Sequence, residues 1–157
     1  MAIERRGLVT RAVAQLAGAG VASPEHDAVA LLAHVLGTTR SHLVLVDEVG
    51  DDAARQFADL VDRRAAREPL QHLTGTAYFR HVELAVGPGV FVPRPETELL
   101  AGWAIEQATP LAEPVVLDLC TGSGAIAKAI ADEVPHARVF AVELDPGAHA
   151  WAERNLS

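Results

Sequence analysis

The chain has 157 residues, of which 50% are hydrophobic, and its formal net charge is −8. This length holds one ordinary domain or two small ones, and the hydrophobic content is enough for a packed core. The negative charge argues against a general grip on nucleic acid, which needs clustered Lys and Arg. No apolar run reaches the roughly 20 residues that span a bilayer, and one cysteine excludes an internal disulfide framework. The sequence therefore predicts a soluble cytoplasmic protein without direct nucleic-acid or membrane binding.

Residues 1–70 predict a small helical domain. Apolar residues from Leu8 to Leu16 recur on one helical face, and Gly18 follows them as a stop signal. Ser23-Pro24 begins a second helix, because Ser can cap it and Pro fits its first turn, and Gly37 ends it. The expected helical segments are 8–18, 24–36, 41–46 and 52–68. A bundle of this size is marginal for stability on its own.

Residues 71–92 predict a hairpin linker. Val82, Leu84 and Val86 alternate with His81, Glu83 and Ala85, which is the period-2 pattern of a half-exposed strand. The Gly-Pro-Gly run that follows directly is a turn signal.

Residues 93–157 predict an alternation of helices and strands. Pro93 and Pro95 hold the chain extended before the first of these helices. The expected segments are a helix over 96–107, strands from 115 and over 138–142, and a helix over 146–155 that Asp145 caps. The apolar side of the helix over 96–107 consists of Leu99, Leu100, Trp103 and Ala104. The fold class is therefore α + α/β, with a helical bundle, a hairpin linker and an α/β part.

An apolar strand, a glycine-bearing turn and a helix follow one another directly over residues 115–131. Gly122 and Gly124 let the backbone turn tightly and leave room for a ligand near the main chain. The helix behind them points its unpaired N–H groups and positive dipole end at that ligand. Glu143 ends the second strand about 20 residues further on, where an acidic side chain accepts hydrogen bonds from ribose hydroxyls. Together with Asp118, Glu143 favours S-adenosylmethionine over a dinucleotide.

Other interpretations of these residues stay open. Strand-to-helix turns also contain two glycines for steric reasons alone, and residues 120–125 can be stretched to fit the fingerprint of NAD enzymes. We expect Cys120, at the strand end, to be a small buried packing residue rather than a reactive thiol. The seven histidines show no metal-ligand spacing, and Ser123 lies outside any nucleophile elbow. Neither a metal site nor hydrolase chemistry is therefore expected.

The run Phe91-Val-Pro-Arg-Pro-Glu-Thr-Glu98 and the run Val116-Leu-Asp-Leu-Cys-Thr-Gly-Ser-Gly-Ala-Ile-Ala127 strongly resemble the bacterial peptide chain release factor glutamine methyltransferases, the PrmC/HemK family. Residues 71–79 resemble the linker of that family, and residues 143–155 resemble its second strand and helix. The resemblance covers the whole chain, and its proline-rich run is more specific than the glycine loop. It implies a substrate-recognition domain over 1–70, a hairpin linker over 71–92, and the start of a Rossmann-like methyltransferase domain over 93–157.

The resemblance also implies an activity and a partner. Such enzymes transfer a methyl group from S-adenosylmethionine to the glutamine side-chain amide in the Gly-Gly-Gln motif of release factors, which act in translation termination. Phe91 and Arg94 would line the methyl-transfer pocket, and Glu143 would accept the ribose hydroxyls. The other cofactor-binding residues implied are Asp118, Cys120, Thr121, Gly122, Ser123 and Gly124. Cys120 stands where such enzymes commonly have a glycine, and Glu143 replaces the more usual aspartate.

Family members position the substrate amide with an Asn-Pro-Pro-Tyr loop, because the nitrogen lone pair is delocalised and must be oriented. Asn155 is the only asparagine of the sequence, so residues 1–157 contain no such loop. We therefore expect the N-terminal portion of such an enzyme, without catalytic residues, inactive by itself and weak in cofactor binding. Two other classes stay open. One is a non-catalytic module that binds a partner protein, and the other is a fragment of a NAD-dependent oxidoreductase.

Overall fold

The computed structural model describes residues 2–157, which divide into two compact units. The first unit ends at Thr74, and the second is Gly75–Ser157. Each unit has buried apolar side chains of its own. Over the described residues, no helix combines the length and the apolar character needed to cross a membrane.

The described part of the first unit is mainly helical. Its elements are β1 Ala2–Glu4, α1 Arg5–Gly18, α2 Pro24–Val35, α3 Arg40–Leu43, β2 Glu48–Gly50, α4 Asp51–Ala65 and α5 Leu70–Thr74. The two short strands pair antiparallel. Leu16, Leu31, Leu32 and Phe57 are buried in the core that the helices share. The helices predicted over 8–18 and 24–36 are therefore confirmed.

Four differences from the sequence-based expectations lie in this unit. The short helix expected over 41–46 is α3, which ends at Leu43, three residues earlier than expected. Helix α4 ends before the expected stop at Glu68-Pro69, because Arg67 takes a positive φ of 74° that leaves the helical path. Residues 70–74 form a helix rather than the start of a linker, and the carbonyl of Pro69 accepts from the His72 and Leu73 N–H groups. The three-residue strands β1 and β2 are too short to give a period-2 signal.

A charged pair joins α2 to α4 inside the first unit. Arg64 Nε donates to Asp27 Oδ2 at 2.8 Å, and Arg64 Nη1 donates to the Glu68 carbonyl at 3.0 Å. Asp27 is buried and Arg64 is half-buried. Because water screens this pair little, it ties the two helices together more firmly than an exposed pair would.

The second unit combines a β-hairpin with a parallel β-α-β unit. Its elements are β3 Thr76–Phe79, β4 Val82–Ala85, α6 Thr97–Ala108, β5 Val115–Leu119, α7 Ala125–Glu133, β6 Arg138–Val142 and α8 Pro146–Leu156. β3 pairs antiparallel with β4, which confirms the predicted hairpin. β5 pairs in parallel with β6, and α7 is the connection between them. Asp145 caps α8 by accepting the Ala148 N–H at 2.9 Å, as predicted.

Arg80 fixes the hairpin to two helices of the second unit. It occupies the hairpin turn with a φ of 50°. Its guanidinium donates to both carboxylate oxygens of Glu133 on α7, at 2.6 and 2.7 Å. Its backbone N–H donates to Glu98 Oε1 on α6 at 3.1 Å. The paired guanidinium holds the pKa of Glu133 below its usual range.

The apolar side expected for α6 is not its buried side. Leu99 is 79% exposed and Trp103 is 60% exposed. The buried residues of the helix are Ala101, Ile105 and Ala108, which also share one helical face. Two of these three are alanines, whose small side chains let α6 approach its neighbours closely. The larger side chains of the expected stripe therefore point away from the core of the unit.

The two faces of the β5–β6 sheet differ in burial. Val116 and Val139 on one face pack against the buried cluster that contains Ile130 of α7. On the other face every apolar side chain is substantially exposed, and these residues are Val115, Leu117, Leu119, Phe140 and Val142. The second unit therefore has a sheet that is covered by helix on one side only within the described residues.

Candidate functional site

The predicted loop between β5 and α7 is a tight turn with three left-handed residues. Cys120, Gly122 and Gly124 have φ values of 59°, 58° and 82°. The N–H of Thr121 donates to the Val142 carbonyl at 3.0 Å, and the N–H of Gly124 donates to the Thr121 carbonyl at 2.9 Å. These bonds place the loop at the edge of the sheet where β5 and β6 both end. In parallel α/β sheets, ligands bind outside this edge.

The two glycines serve different purposes. A Cβ built on Gly122 meets no heavy atom within 4 Å, so the space beside it is open. A Cβ built on Gly124 lies 3.3 Å from Leu156 and 3.6 Å from the Cα of Ala152, both on α8. Gly122 therefore leaves room for an approaching ligand, whereas Gly124 lets α8 lie close to the start of α7.

Asp118 lies beneath the loop and supports it. Its buried Oδ2 accepts from the Thr121 hydroxyl at 2.6 Å and from the Ala127 N–H at 3.2 Å. Asp118 thus joins the end of β5 to the loop and to the first turn of α7. This oxygen of Asp118 is directed at the protein, and cofactor binding by Asp118 stays a prediction.

Glu143 is joined directly to the glycine loop. Its Oε2 accepts the Gly122 N–H at 2.8 Å, and its Oε1 accepts the N–H groups of Leu144 at 2.8 Å and Asp145 at 3.0 Å. The Asp145 and Gly122 bonds, in that order, lower the pKa of Glu143. The carboxylate is therefore ionised at neutral pH. Because a carboxylate has about four lone-pair positions, it keeps capacity to accept from a ligand hydroxyl.

The remaining predicted residues are placed in different ways. Cys120 is exposed, so the expectation of a buried packing residue is wrong, because the left-handed turn carries its side chain outward. Ser123 is buried, and its carbonyl accepts from the Asn155 side chain at 2.8 Å. Phe91 is 90% exposed and Arg94 is exposed. Within residues 2–157, no hydrogen bond or ion pair links Arg94 to the loop.

Sequence reasoning missed Asn155. The sequence places Asn155 at the end of the last predicted helix, and no pattern in it assigns this residue to the site. A polar residue at the end of an amphipathic helix is normally expected to be exposed to solvent, yet Asn155 is buried. The sequence pattern carries no signal for this, because the contact depends on how α8 packs against the loop.

The assembled site suits a ligand with hydroxyl groups. It combines an ionised acceptor at Glu143, open space at Gly122 and the N-terminus of α7, all at one sheet edge. Within the described residues there is no group of three or more His, Cys, Asp or Glu that could hold a metal ion.

Comparisons with known proteins identify relatives for both parts of the chain. Residues 7–75 match the family model of the PrmC N-terminal domain. A release factor glutamine methyltransferase of Streptomyces coelicolor is 55% identical over 150 residues, which is 94% of this chain and 53% of the relative. Proteins with the same name from Mycolicibacterium smegmatis and Deinococcus radiodurans are 51% and 44% identical, over 97% and 99% of this chain and 54% and 56% of the relatives.

The chain spans about half the length of the curated relatives it matches. The match to the Deinococcus radiodurans protein covers 99% of the chain, so it includes both the helical first unit and the glycine loop. Nearly the whole chain is therefore similar to the N-terminal portion of the release factor glutamine methyltransferases.

Proposed function

We propose that the second unit carries the cofactor side of an S-adenosylmethionine-dependent methyltransferase. The observation that carries this proposal is the 2.8 Å bond between the Gly122 N–H and the Glu143 carboxylate. This bond brings an acidic acceptor and the glycine turn to the same sheet edge, where a nucleoside can meet both. The cofactor-binding residues would be Asp118, Cys120, Thr121, Gly122, Ser123, Gly124 and Glu143. The sheet would be the start of a Rossmann-like domain.

The geometry supports a nucleoside ligand at this site. Glu143 is ionised and keeps acceptor capacity for a ribose hydroxyl, and no heavy atom lies within 4 Å of a Cβ built on Gly122. When bound, S-adenosylmethionine would supply an electrophilic methyl group on its sulfonium. The cofactor-binding residues of this chain would hold it, and Phe91 and Arg94 would line the methyl-transfer pocket.

The names of the relatives support a proposal for the activity of the whole protein. We infer that it methylates the glutamine amide in the Gly-Gly-Gln motif of peptide chain release factors, in the cytoplasm, and so acts in translation termination. The helical residues 1–70 would recognise the substrate, and residues 71–92 would link them to the methyltransferase part.

Equilibrium dialysis with radiolabelled S-adenosylmethionine tests the cofactor. We expect label to be retained at high chain concentration and displaced by S-adenosylhomocysteine but not by NAD⁺. Glu143→Gln should weaken retention about fivefold or more, because a hydrogen bond to a charged acceptor is lost. Glu153→Gln is the matched control, since Glu153 is an exposed carboxylate on α8. Displacement by NAD⁺ alone would favour the oxidoreductase alternative.

We also propose that the polypeptide 1–157 does not transfer methyl groups by itself. Transfer requires the substrate amide to be held in a reactive orientation, and residues 1–157 contain no Asn-Pro-Pro-Tyr loop to hold it. Incubation with tritiated S-adenosylmethionine and an unmethylated release factor should leave the factor unlabelled. Labelled glutamine in the Gly-Gly-Gln motif would refute this.

A further inference from the structure

The side chain of Asn155 connects the hairpin to the glycine loop. Its Oδ1 accepts the Ala85 N–H at 2.8 Å, and its Nδ2 donates to the Ala85 carbonyl at 2.9 Å. The same Nδ2 donates to the Ser123 carbonyl at 2.8 Å. Both protons of the amide and its oxygen are therefore used, and the partners lie 70 and 32 residues away in sequence.

The backbone of Asn155 is fixed as well. Lys128 Nζ on α7 donates to the Asn155 carbonyl at 2.7 Å. Asn155 is only 5% exposed, so water cannot readily replace its side-chain bonds. Asn155 is therefore held at its main-chain carbonyl by Lys128 of α7 and at its side chain by Ala85 of β4. The remaining side-chain bond goes to the Ser123 carbonyl, which Asn155 orients.

The peptide between Ser123 and Gly124 needs such a tie. Gly124 has a φ of 82°, but glycine populates positive and negative φ about equally, so the residue itself does not fix this peptide. The peptide is bonded at both ends, by Asn155 at the Ser123 carbonyl and by the Thr121 carbonyl at the Gly124 N–H. Loss of the bond from Asn155 would leave this peptide held at its N–H group and less restrained at its carbonyl.

We propose that Asn155 is a positioning residue for the cofactor loop, acting through the Ser123 carbonyl. This inference rests on the proposed function for its ligand, but its structural part can be measured without one. Asn155 transmits the position of the hairpin strand β4 to the loop, so that the loop is held in its ligand-binding form before any ligand arrives.

Amide hydrogen exchange tests the tie directly. In Asn155→Ala and Asn155→Asp, exchange at Gly124 should be about tenfold faster, because one hydrogen bond that fixes its peptide is gone. Interior amides of α7 should change much less. Asp cannot donate and places an acceptor against two carbonyls, whereas Ala only removes the bonds, so Ala serves if Asp prevents folding. In the unchanged chain, the Asn155 side-chain protons should exchange more slowly than those of the four glutamines.

Arg80→Gln is the matched control for a merely structural effect. It removes the paired contacts with Glu133 in the same unit but touches no loop residue. We expect Arg80→Gln to have a lower Tm. The ratio of the amide exchange rate at Gly124 to the rates at the interior amides of α7 should stay unchanged. The Kd for S-adenosylhomocysteine should rise about fivefold in both Asn155 variants and stay constant in Arg80→Gln.

Three results would overturn the proposal. One is an exchange rate at Gly124 that changes no more in the Asn155 variants than in Arg80→Gln. Another is fast exchange of the Asn155 side-chain protons in the unchanged chain. The third is faster loop exchange with an unchanged Kd, since the tie would then stabilise the fold without serving the ligand. If the unchanged chain binds no S-adenosylhomocysteine, the proposed function fails, and the exchange rates alone still decide whether Asn155 positions the loop.

Discussion

At the scale of single residues, the loop places a cysteine where the backbone favours glycine. Cys120 has a φ of 59°, and its side chain is exposed. For a residue with a Cβ, this conformation costs about 1–2 kcal/mol. Replacement by glycine removes that cost. It also makes folding less favourable by about 0.5–1 kcal/mol, because the unfolded chain gains backbone entropy. The strain is the larger effect, so the cysteine is a local weakness of the loop.

We therefore predict that Cys120→Gly stabilises the second unit by about 0.5–1 kcal/mol. Urea unfolding followed by tryptophan fluorescence measures this, because Trp103 and Trp151 both lie in that unit. Gly122→Ala is the control, and it should destabilise, since it introduces the same strain at a φ of 58°. A loss of stability in Cys120→Gly would show that the cysteine side chain makes a favourable contribution.

A second residue-scale prediction concerns the charge of Glu143. Three backbone N–H groups favour its ionised form and lower its pKa. A carboxyl whose folded-state pKa is depressed stabilises the fold above its unfolded pKa, and this contribution is lost as the pH falls through the folded value. The Gly122 amide resonance should therefore titrate with a midpoint below the ordinary pKa of a Glu side chain. Glu143→Gln should abolish that titration, whereas a midpoint above the ordinary value would contradict the assigned bonds.

The sequence pattern identified some of these residues but not all of them. Gly122, Gly124 and Glu143 could be located because strand, turn and helix signals fix their order along the chain. Whether Asp118 points at the protein or at a ligand depends on rotamers that no pattern encodes. The contacts of Asn155 depend on packing between segments that are distant in sequence, so no local pattern predicts them.

At the scale of elements, charged pairs differ in what they contribute. The Asp27–Arg64 pair is largely buried, whereas the Asp52–Arg55 pair on the surface of α4 is exposed at both side chains. Removing one partner of a shielded pair leaves a charge without compensation, whereas an exposed charge is compensated by water. The two pairs therefore allow a matched comparison with the same substitution.

We predict that Asp27→Asn destabilises the first unit by about 2 kcal/mol and that Asp52→Asn costs about 0.5 kcal/mol or less. The first unit contains no tryptophan, so hydrogen exchange at the amides of α2 and α4 is the suitable measurement. Equal effects of the two substitutions would mean that the Asp27–Arg64 pair does not hold α2 against α4.

Elements with strong local signals were predictable and those set by packing were not. The capped helix after Asp145 and the strand over 138–142 follow from local chemistry and hydrophobicity. The buried side of α6 did not, because two apolar stripes share this helix and only the packing selects Ala101, Ile105 and Ala108. The stripe that contains Leu99 and Trp103 is the more apolar of the two, yet it is the one that stays exposed.

At the scale of the whole molecule, the sheet of the second unit has an apolar face that the described residues leave exposed. Leu117 at its centre is 57% exposed, whereas Leu84 of the hairpin is fully buried. Removal of apolar area from water contributes to the free energy of folding. The same substitution at these two leucines should therefore change the unfolding free energy by different amounts.

We predict that Leu117→Thr changes the unfolding free energy of the unit by about 0.5 kcal/mol or less, because threonine also suits a strand and little area is lost. Leu84→Thr should cost about 3 kcal/mol or more, since it leaves a cavity and buries a hydroxyl. Tryptophan fluorescence during urea unfolding gives both values. A large loss in Leu117→Thr would mean that this face is covered in solution.

The proposed cofactor site consists of the loop after β5, residues 120–124, and Glu143, the residue after β6. An amide chemical-shift map recorded during titration with S-adenosylhomocysteine tests it most directly, because the map locates the ligand even when binding is weak. We predict that the largest shifts lie at residues 120–124 and at Glu143, with helices α1 to α5 unaffected. Shifts confined to other residues, or no shifts at millimolar ligand, would contradict it.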